Sequence, residues 1–223
     1  MRDLMIDADQ VFSLDKYIVE TKLFSTRLTF YDGSGNVVLR EAKGLFSGMK
    51  IETLDGNLVY TITHKTLSMP TTYEIHQGDK KGAVLGYIRF NFNIAAILGG
   101  GKEIEILDAS QSPIGKAVGD FFNYNFNILD QSGNAAASIK RSASGSLANK
   151  FSQAIHSTYE INIQSRSVPT NMVLGFAVVL EEVLKSNNNR SGFGGGGIAG
   201  AMGGFGGPGG GFGGQGMGGG IKL

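Results

Sequence analysis

Cysteine is absent from this chain of 223 residues, which removes disulfides, zinc–thiolate centres and cysteine nucleophiles from consideration. Histidine is scarce, with only His64, His76 and His156. No HExxH spacing joins two of them, and no G-x-S-x-G turn presents a serine. Metal, acid–base and acyl-transfer chemistry are therefore not expected, and no cofactor is implied. Neither sign of charge dominates. Twenty Lys and Arg against nineteen Asp and Glu leave a net charge of +1, which gives no broad attraction to nucleic acid. A membrane-length hydrophobic run is missing too. The apolar stretch in NMVLGFAVVL, Met172 to Leu180, ends at Glu181 and Glu182, and its ~14 Å of helical rise falls short of the roughly 20 residues a span needs. The opening MRDLMIDADQ carries Asp3, Asp7 and Asp9, unlike a basic, apolar signal peptide. The expectation is a soluble cytoplasmic protein, at most peripheral to a membrane.

What the chain does have is unevenly distributed. From Gly192 to Gly220, 19 of 29 residues are Gly, interrupted by Phe193, Met202, Phe205, Phe212 and Met217. Such a segment buries too little surface to offset its ordering entropy. Residues 191–223 are read as a flexible tail, or as weak stickers for a protein partner. Residues 1–190 remain for one substantial core.

Within that part a phrase recurs: an alternating apolar run, an Asp, a Gly- or Ser-containing turn, and another run. It occurs as LTFYDGSGN at Asp32, KIETLDGN at Asp55, EIEILDASQSP at Asp108 and FNILDQSGN at Asp130. TYEI also occurs twice, at 72–75 and 158–161. Such self-similarity points to an internal duplication. Period-2 runs such as RLTFY and YNFNIL predict strands, and the DG and SGN pairs predict hairpin turns. Strands are expected near 17–22, 27–31, 37–42, 49–54, 58–64 and 72–77. A second six follow near 84–90, 103–107, 114–119, 124–129, 135–141 and 156–164. Twelve strands can close into a barrel, which removes exposed edges. Eight strands are about the most whose own side chains fill the interior, so a twelve-stranded barrel needs something along its axis. The helix predicted over about 169–185 is apolar on every side and suits that place. Met172, Leu174, Phe176, Val179 and Leu180 are its expected core residues, with Pro169 in its first turn and Thr170 as its cap.

The ordered set YDGSGNVV, MKIETLDGN, ITHKTLSMPTTYEI and NMVLGFAVVLEEVL resembles the LURP-one-related proteins, kin of the phospholipid scramblases and the tubby carboxy-terminal domain. The resemblance runs over roughly residues 10–185. It implies a mainly β, tubby-like fold: a closed twelve-stranded barrel of two six-strand repeats around a central hydrophobic C-terminal helix. Two features depart from the scramblases. EINIQSRSV before the helix holds only Glu160 where they have an acidic, calcium-associated segment, and their Cys-rich and Pro-rich stretches have no counterpart. Calcium-driven scrambling is not expected.

Other motifs dissolve on inspection. A calcium loop begun at Asp32 or Asp130 would need Gly at its sixth position and Glu at its twelfth, where Val37 and Lys43, or Ala135 and Arg141, stand. GGGK ending at Lys102 lacks the Ser or Thr and the helix of a phosphate loop. The basic residues Lys140, Arg141, Lys150 and Arg166 flank the long second-repeat loop, with Lys80 and Lys81 in the matching turn of the first. They are the candidate contacts for acidic membrane-lipid headgroups, each cation contributing about 1 kcal/mol near an anionic surface. The expected function is non-catalytic binding, to acidic phospholipid or to a protein partner. Scramblase-like translocation and carriage of a small apolar ligand are the alternatives.

Overall fold

In the computed structural model, residues 8–22, 25–42, 48–65, 70–91, 102–120, 125–141 and 156–191 are described. The chain divides into two units, Met1–Asn187 and Asn188–Leu223. Of the second unit only residues 188–191, the last turn of a helix, are described, and the Gly-rich stretch lies outside the described residues.

The first unit begins with a short helix, α1 (Ala8–Phe12), and continues into β1 (Lys16–Lys22), β2 (Ser25–Asp32), β3 (Val37–Glu41), β4 (Met49–Glu52), β5 (Leu58–Lys65) and β6 (Thr71–Gln77). The second half supplies β7 (Val84–Phe90), β8 (Lys102–Asp108), β9 (Pro113–Asp120), β10 (Asn125–Asp130), β11 (Ala135–Arg141) and β12 (His156–Ile163), and α2 (Thr170–Ser191) follows. Each strand pairs antiparallel with its sequence neighbour, and β1 pairs with β12, so the sheet closes into a barrel. All twelve expected strands form. Their alternation explains why: Phe30, Ile62, Ile75, Ile88, Ile104, Ile106, Phe126, Ile128, Ile139 and Ile161 face inward and are buried. The outward positions between them carry cross-strand ion pairs, Lys16–Glu160 (3.0 Å), Arg40–Glu52 (2.8 Å), Lys65–Glu74 (3.7 Å), Arg89–Glu105 (3.5 Å) and Lys116–Glu103 (2.8 Å). A wall so charged does not suit the apolar band that a membrane barrel turns towards lipid.

The axis is occupied by α2. Met172 through Leu180 are at most 1 % exposed wherever they carry an apolar side chain, and their neighbours come from several sides of the ring. Phe176 meets Phe126 of β10 edge-on at 5.5 Å. Tyr159 of β12 donates its hydroxyl to the Ala177 carbonyl at 3.4 Å. Gly86 of β7 lies under the Met172 side chain, and Gly175 of the helix leaves space for Ile75 of β6. A Cβ on Gly175 would stand 2.4 Å from Ile75 Cδ1, so a methyl group at that level would force the Ile75 side chain to shift. Met172, Leu174, Phe176, Val179 and Leu180 all take the expected buried positions.

The helix start differs from expectation. Val173 N–H and Met172 N–H donate to the Pro169 carbonyl at 3.2 and 2.9 Å. Pro169 therefore precedes the first turn, and Thr170 is its first residue instead of its cap. The Thr170 hydroxyl is buried without a hydrogen-bond partner, so it caps no backbone N–H of the helix. The helix also runs six residues beyond Lys185, to Ser191. At the start of the chain α1 adds an element absent from the expected set: Val11 is fully buried, and its carbonyl accepts the Tyr17 hydroxyl.

Candidate functional site

An up-and-down barrel sorts its connections onto two ends. At the end where α2 enters lie the connections β2–β3, β4–β5, β6–β7, β8–β9 and β10–β11, together with residues 164–169. The remaining connections, from β1–β2 to β11–β12, belong to the end where α2 leaves.

The entry end is built from one repeated turn. Asp32, Asp108 and Asp130 each donate their N–H to the carbonyl four residues on (2.8, 2.9 and 2.9 Å) and accept from the N–H three residues on (3.1, 3.0 and 3.0 Å). Each carboxylate also accepts from the backbone two and four residues on: Ser34 and Asn36, Ser110 and Ser112, Ser132 and Asn134. In the remaining copy the same bonds start from Thr53, which donates to Asn57 at 2.9 Å and accepts from Gly56 at 3.1 Å. The repeat is thus shifted by two residues from its sequence alignment: Thr53, not Asp55, is the counterpart of the other three. The fourth residue of each turn has positive φ, Gly35, Gly56, Gln111 and Gly133, as in hairpins that close with a left-handed residue. These carboxylates are turn-formers, each with its Oδ1 committed to two backbone N–H groups.

Those bonds leave an electrostatic trace. Burial pushes the Asp32 carboxyl up slightly, but hydrogen bonds from Asn36, Ser34 and Gly35 outweigh it and hold the group below the usual carboxylate range. The Ser110 hydroxyl and the Ser112 N–H do the same for Asp108, and the Asn134 N–H leads for Asp130. A carboxyl whose folded value is depressed contributes stability that is complete above its unfolded value and is lost as pH falls through the folded one. The barrel should therefore lose melting temperature below about pH 4. An Asp32→Asn, Asp108→Asn, Asp130→Asn variant keeps the one acceptor oxygen each turn uses but not the titration. Its acid limb should be shallower; an unchanged slope in melts from neutral to acid pH would refute the assignment.

The structure does not gather the basic residues singled out in the sequence. Arg166 stands at the entry end, where its guanidinium pairs with Asp15 at 3.0 Å and donates to the Ser13 carbonyl. Lys140 and Arg141 lie at the other end of β11, separated from Arg166 by nearly the length of that strand, ~15 Å. Lys140 is exposed, and Lys150 lies outside the described residues. Lys80 and Lys81 sit in the β6–β7 turn of the entry end.

A different grouping emerges from the strand ends. At the exit end, β1 finishes on Lys22, β5 on Lys65, β11 on Arg141, and β8 begins at Lys102; the acids there are Glu41 on β3 and Asp120 on β9. Arg27 of β2, Arg40 of β3, Lys50 of β4, Arg89 of β7 and Lys140 of β11 lie one residue or two in from the same end, against Glu20 of β1 and Glu103 of β8. At the entry end the strand termini carry Asp32, Glu52, Asp108 and Asp130 against Lys16 alone, and the neighbouring turns hold Asp15, Asp55 and Asp79 against Lys80, Lys81 and Arg166. The barrel is polarised, positive where α2 leaves and negative where it enters. That sense also complements the helix macrodipole, whose positive pole is its N-terminus. Lys22 and Lys65 escaped the sequence reading, and Lys102 entered it only as the end of GGGK, because each is an ordinary strand-end lysine until the ring closes. Lys22 becomes the direct partner of His156 only through the β1–β12 seam.

The three histidines stay apart. His64 stacks on Tyr73 at 4.7 Å near the exit mouth; burial lowers its pKa, and Glu182 opposes the shift. His76 on the wall lies 3.7 Å from Glu74, and His156 begins β12. Among the described residues no group of three His, Cys, Asp or Glu could hold a metal ion. Two grooves of about 630 and 410 Å³ run along the outer wall and share Asn91 and Glu105. Their Lys116, Glu103, Arg89 and Glu105 side chains are engaged with one another. No helix among the described residues is long and apolar enough to cross a membrane.

Comparison with known proteins bears first on the fold. An X-ray structure of a protein from Arabidopsis thaliana superposes with a TM-score of 0.55 at 10 % identity, covering 80 % of this chain and 97 % of that one. No curated protein matches the chain. The profile of the LURP-one-related proteins matches residues 15–181, from the start of β1 to the buried part of α2. The chain belongs to the LURP-one-related family.

Proposed function

We propose that this barrel is a non-catalytic binding protein that docks on acidic phospholipid headgroups at the cytoplasmic face of a membrane, through its exit end. The observation that carries the reading is the polarity of the strand ends, with Lys22, Lys65, Lys102, Lys140 and Arg141 at one end and the Asp turns at the other. Attraction has to come from charge. The apolar face of α2 is spent on the core, and the wall is covered by ion pairs. Of the candidates read from the sequence, Lys140 and Arg141 keep this role, Lys150 lies outside the described residues, and Arg166 is assigned to holding the N-terminal segment. Neither lipid translocation nor carriage of an apolar ligand draws support from the barrel, whose axis the helix fills.

Cosedimentation of the full chain with phosphatidylserine vesicles tests this. Lys140→Glu with Arg141→Glu should weaken binding by ~30-fold, at about 1 kcal/mol per cation lost. Added salt should weaken it further, because such attraction is screened within ~8 Å at physiological ionic strength. Lys80→Glu with Lys81→Glu, at the entry end, should leave it unchanged. Equal binding to neutral vesicles, or equal loss from both pairs, would contradict the proposal, and absence of binding would shift the weight to a protein partner.

A further inference from the structure

We infer that residues 8–14, the short helix α1 and the turn after it, are a lid on the entry mouth of the barrel, fastened by the Tyr17 hydroxyl and poised to open by that of Tyr60. The barrel is complete without this segment. Its sheet closes through β1 and β12, and the stretch that matches the family profile starts only at residue 15. The fixed point is Asp15, whose carbonyl accepts the Ile163 N–H of β12 at 2.8 Å. On the other side of that point the barrel holds the segment through Tyr17, which donates to the Val11 carbonyl, and through Arg166, which donates to the Ser13 carbonyl. Bonds of the segment with itself are short in range: Ser13 N–H and Leu14 N–H donate to the Gln10 and Val11 carbonyls at 3.2 and 3.3 Å. Five residues of helix do not persist alone, so the closed form depends on its seat. There Val11 is fully buried, and Phe12 and Leu14 pack partly against the core.

The seat also carries a standing penalty. Tyr60 of β5 turns inward near the same end and is fully buried, and its hydroxyl makes no hydrogen bond among the described residues. Burial pushes the Tyr60 phenol far up in pKa, and the Tyr17 phenol adds to the shift, which places Tyr60 beside the hydroxyl that fastens the lid. A buried hydroxyl without a partner costs free energy that contact with water restores. Lifting α1 lets water reach it, so one hydroxyl of the mouth favours the closed form and the other favours the open one. Phenylalanine at both positions would fill the same space with neither effect.

The chain contains no cysteine, so a single introduced thiol in the full-length protein reports opening without background. Val11→Cys should react with a thiol reagent at a rate that urea below the unfolding midpoint hardly changes, as local opening requires. Leu174→Cys, on the buried helix, should react only through global unfolding, with a rate that rises steeply in urea. Leu14→Cys is a second lid probe that removes less buried surface, and it should follow Val11→Cys. On either lid probe, Tyr17→Phe should speed labelling about fivefold and Tyr60→Phe should slow it about tenfold. Lid probes as protected as Leu174→Cys, with the same urea dependence, would make α1 part of the core and overturn the inference. Labelling as fast as that of an unfolded chain would overturn it too, since no closed form would exist. Rates that Tyr60→Phe leaves unchanged or raises would equally contradict it.

Discussion

Phe176→Ala should lower the melting temperature of the barrel by roughly 10 °C or more. Phe176 is fully buried on the axis, and its ring meets Phe126 at 5.5 Å. Removing such a side chain loses its transfer free energy and leaves a cavity, together about 3–5 kcal/mol. In a domain of this size each kcal/mol moves the midpoint by about 2–4 °C. The wall limits relaxation, because the twelve strands are hydrogen-bonded into a closed ring and cannot move inward one at a time. A helix lying on the surface or in a membrane would respond differently. There Phe176→Ala would change stability by a few tenths of a kcal/mol at most. Thermal unfolding of the two proteins followed by circular dichroism separates these cases.

The complementary change overfills the same interface. Gly86→Ala should cost about 3 kcal/mol, at the upper end of what overpacking does. A Cβ there would stand 2.3 Å from the Leu107 carbonyl oxygen and 2.7 Å from Met172 Cε. The first obstacle is backbone of the neighbouring strand, so a rotamer change in Met172 cannot relieve it. Gly133→Ala is the control, since nothing lies within 4 Å of a Cβ at that turn, and only the left-handed conformation opposes it, by about 1–2 kcal/mol. The measurement is the urea midpoint of each variant. Gly86→Ala no worse than Gly133→Ala would mean that β7 is not packed against β8 and the helix as described.

Much of this architecture was legible because it is local. Alternation in RLTFY or YNFNIL gives a strand wherever one face is buried, and the turn residues bound it, so all twelve strands appear within a few residues of their expected places. The all-round apolar stretch of α2 likewise states its own burial. What escaped the reading is what long-range closure creates. Residues of α1 have no helical run to announce them, and a helix of five residues does not persist by propensity; it is held by Val11 in the core and by the Tyr17 hydroxyl. Thr53 replaces an Asp at the head of its turn because the hydrogen bonds count from the bulge, not from the most similar letters. The site was half legible for the same reason. Lys140 and Arg141 were visible as a pair, but Arg166 was grouped with them by nearness to one loop in sequence, whereas β11 and β12 deliver it to the opposite end. Lys22 and Lys102 reach the same rim as Arg141 only through the strand directions of a closed ring.

Amide hydrogen exchange along α2 tests the central claim, that this helix is the barrel's core and remains so at a membrane. Amides from Leu174 to Leu180 lie on a helix buried on every side, so they should exchange only through global unfolding, at the free energy of the whole domain. That protection should be the same in buffer and with the full chain bound to phosphatidylserine vesicles, because the binding proposed above runs through the exit-end cations and leaves the helix in place. Exchange of these amides through local opening in buffer, or loss of their protection on vesicles, would contradict the account.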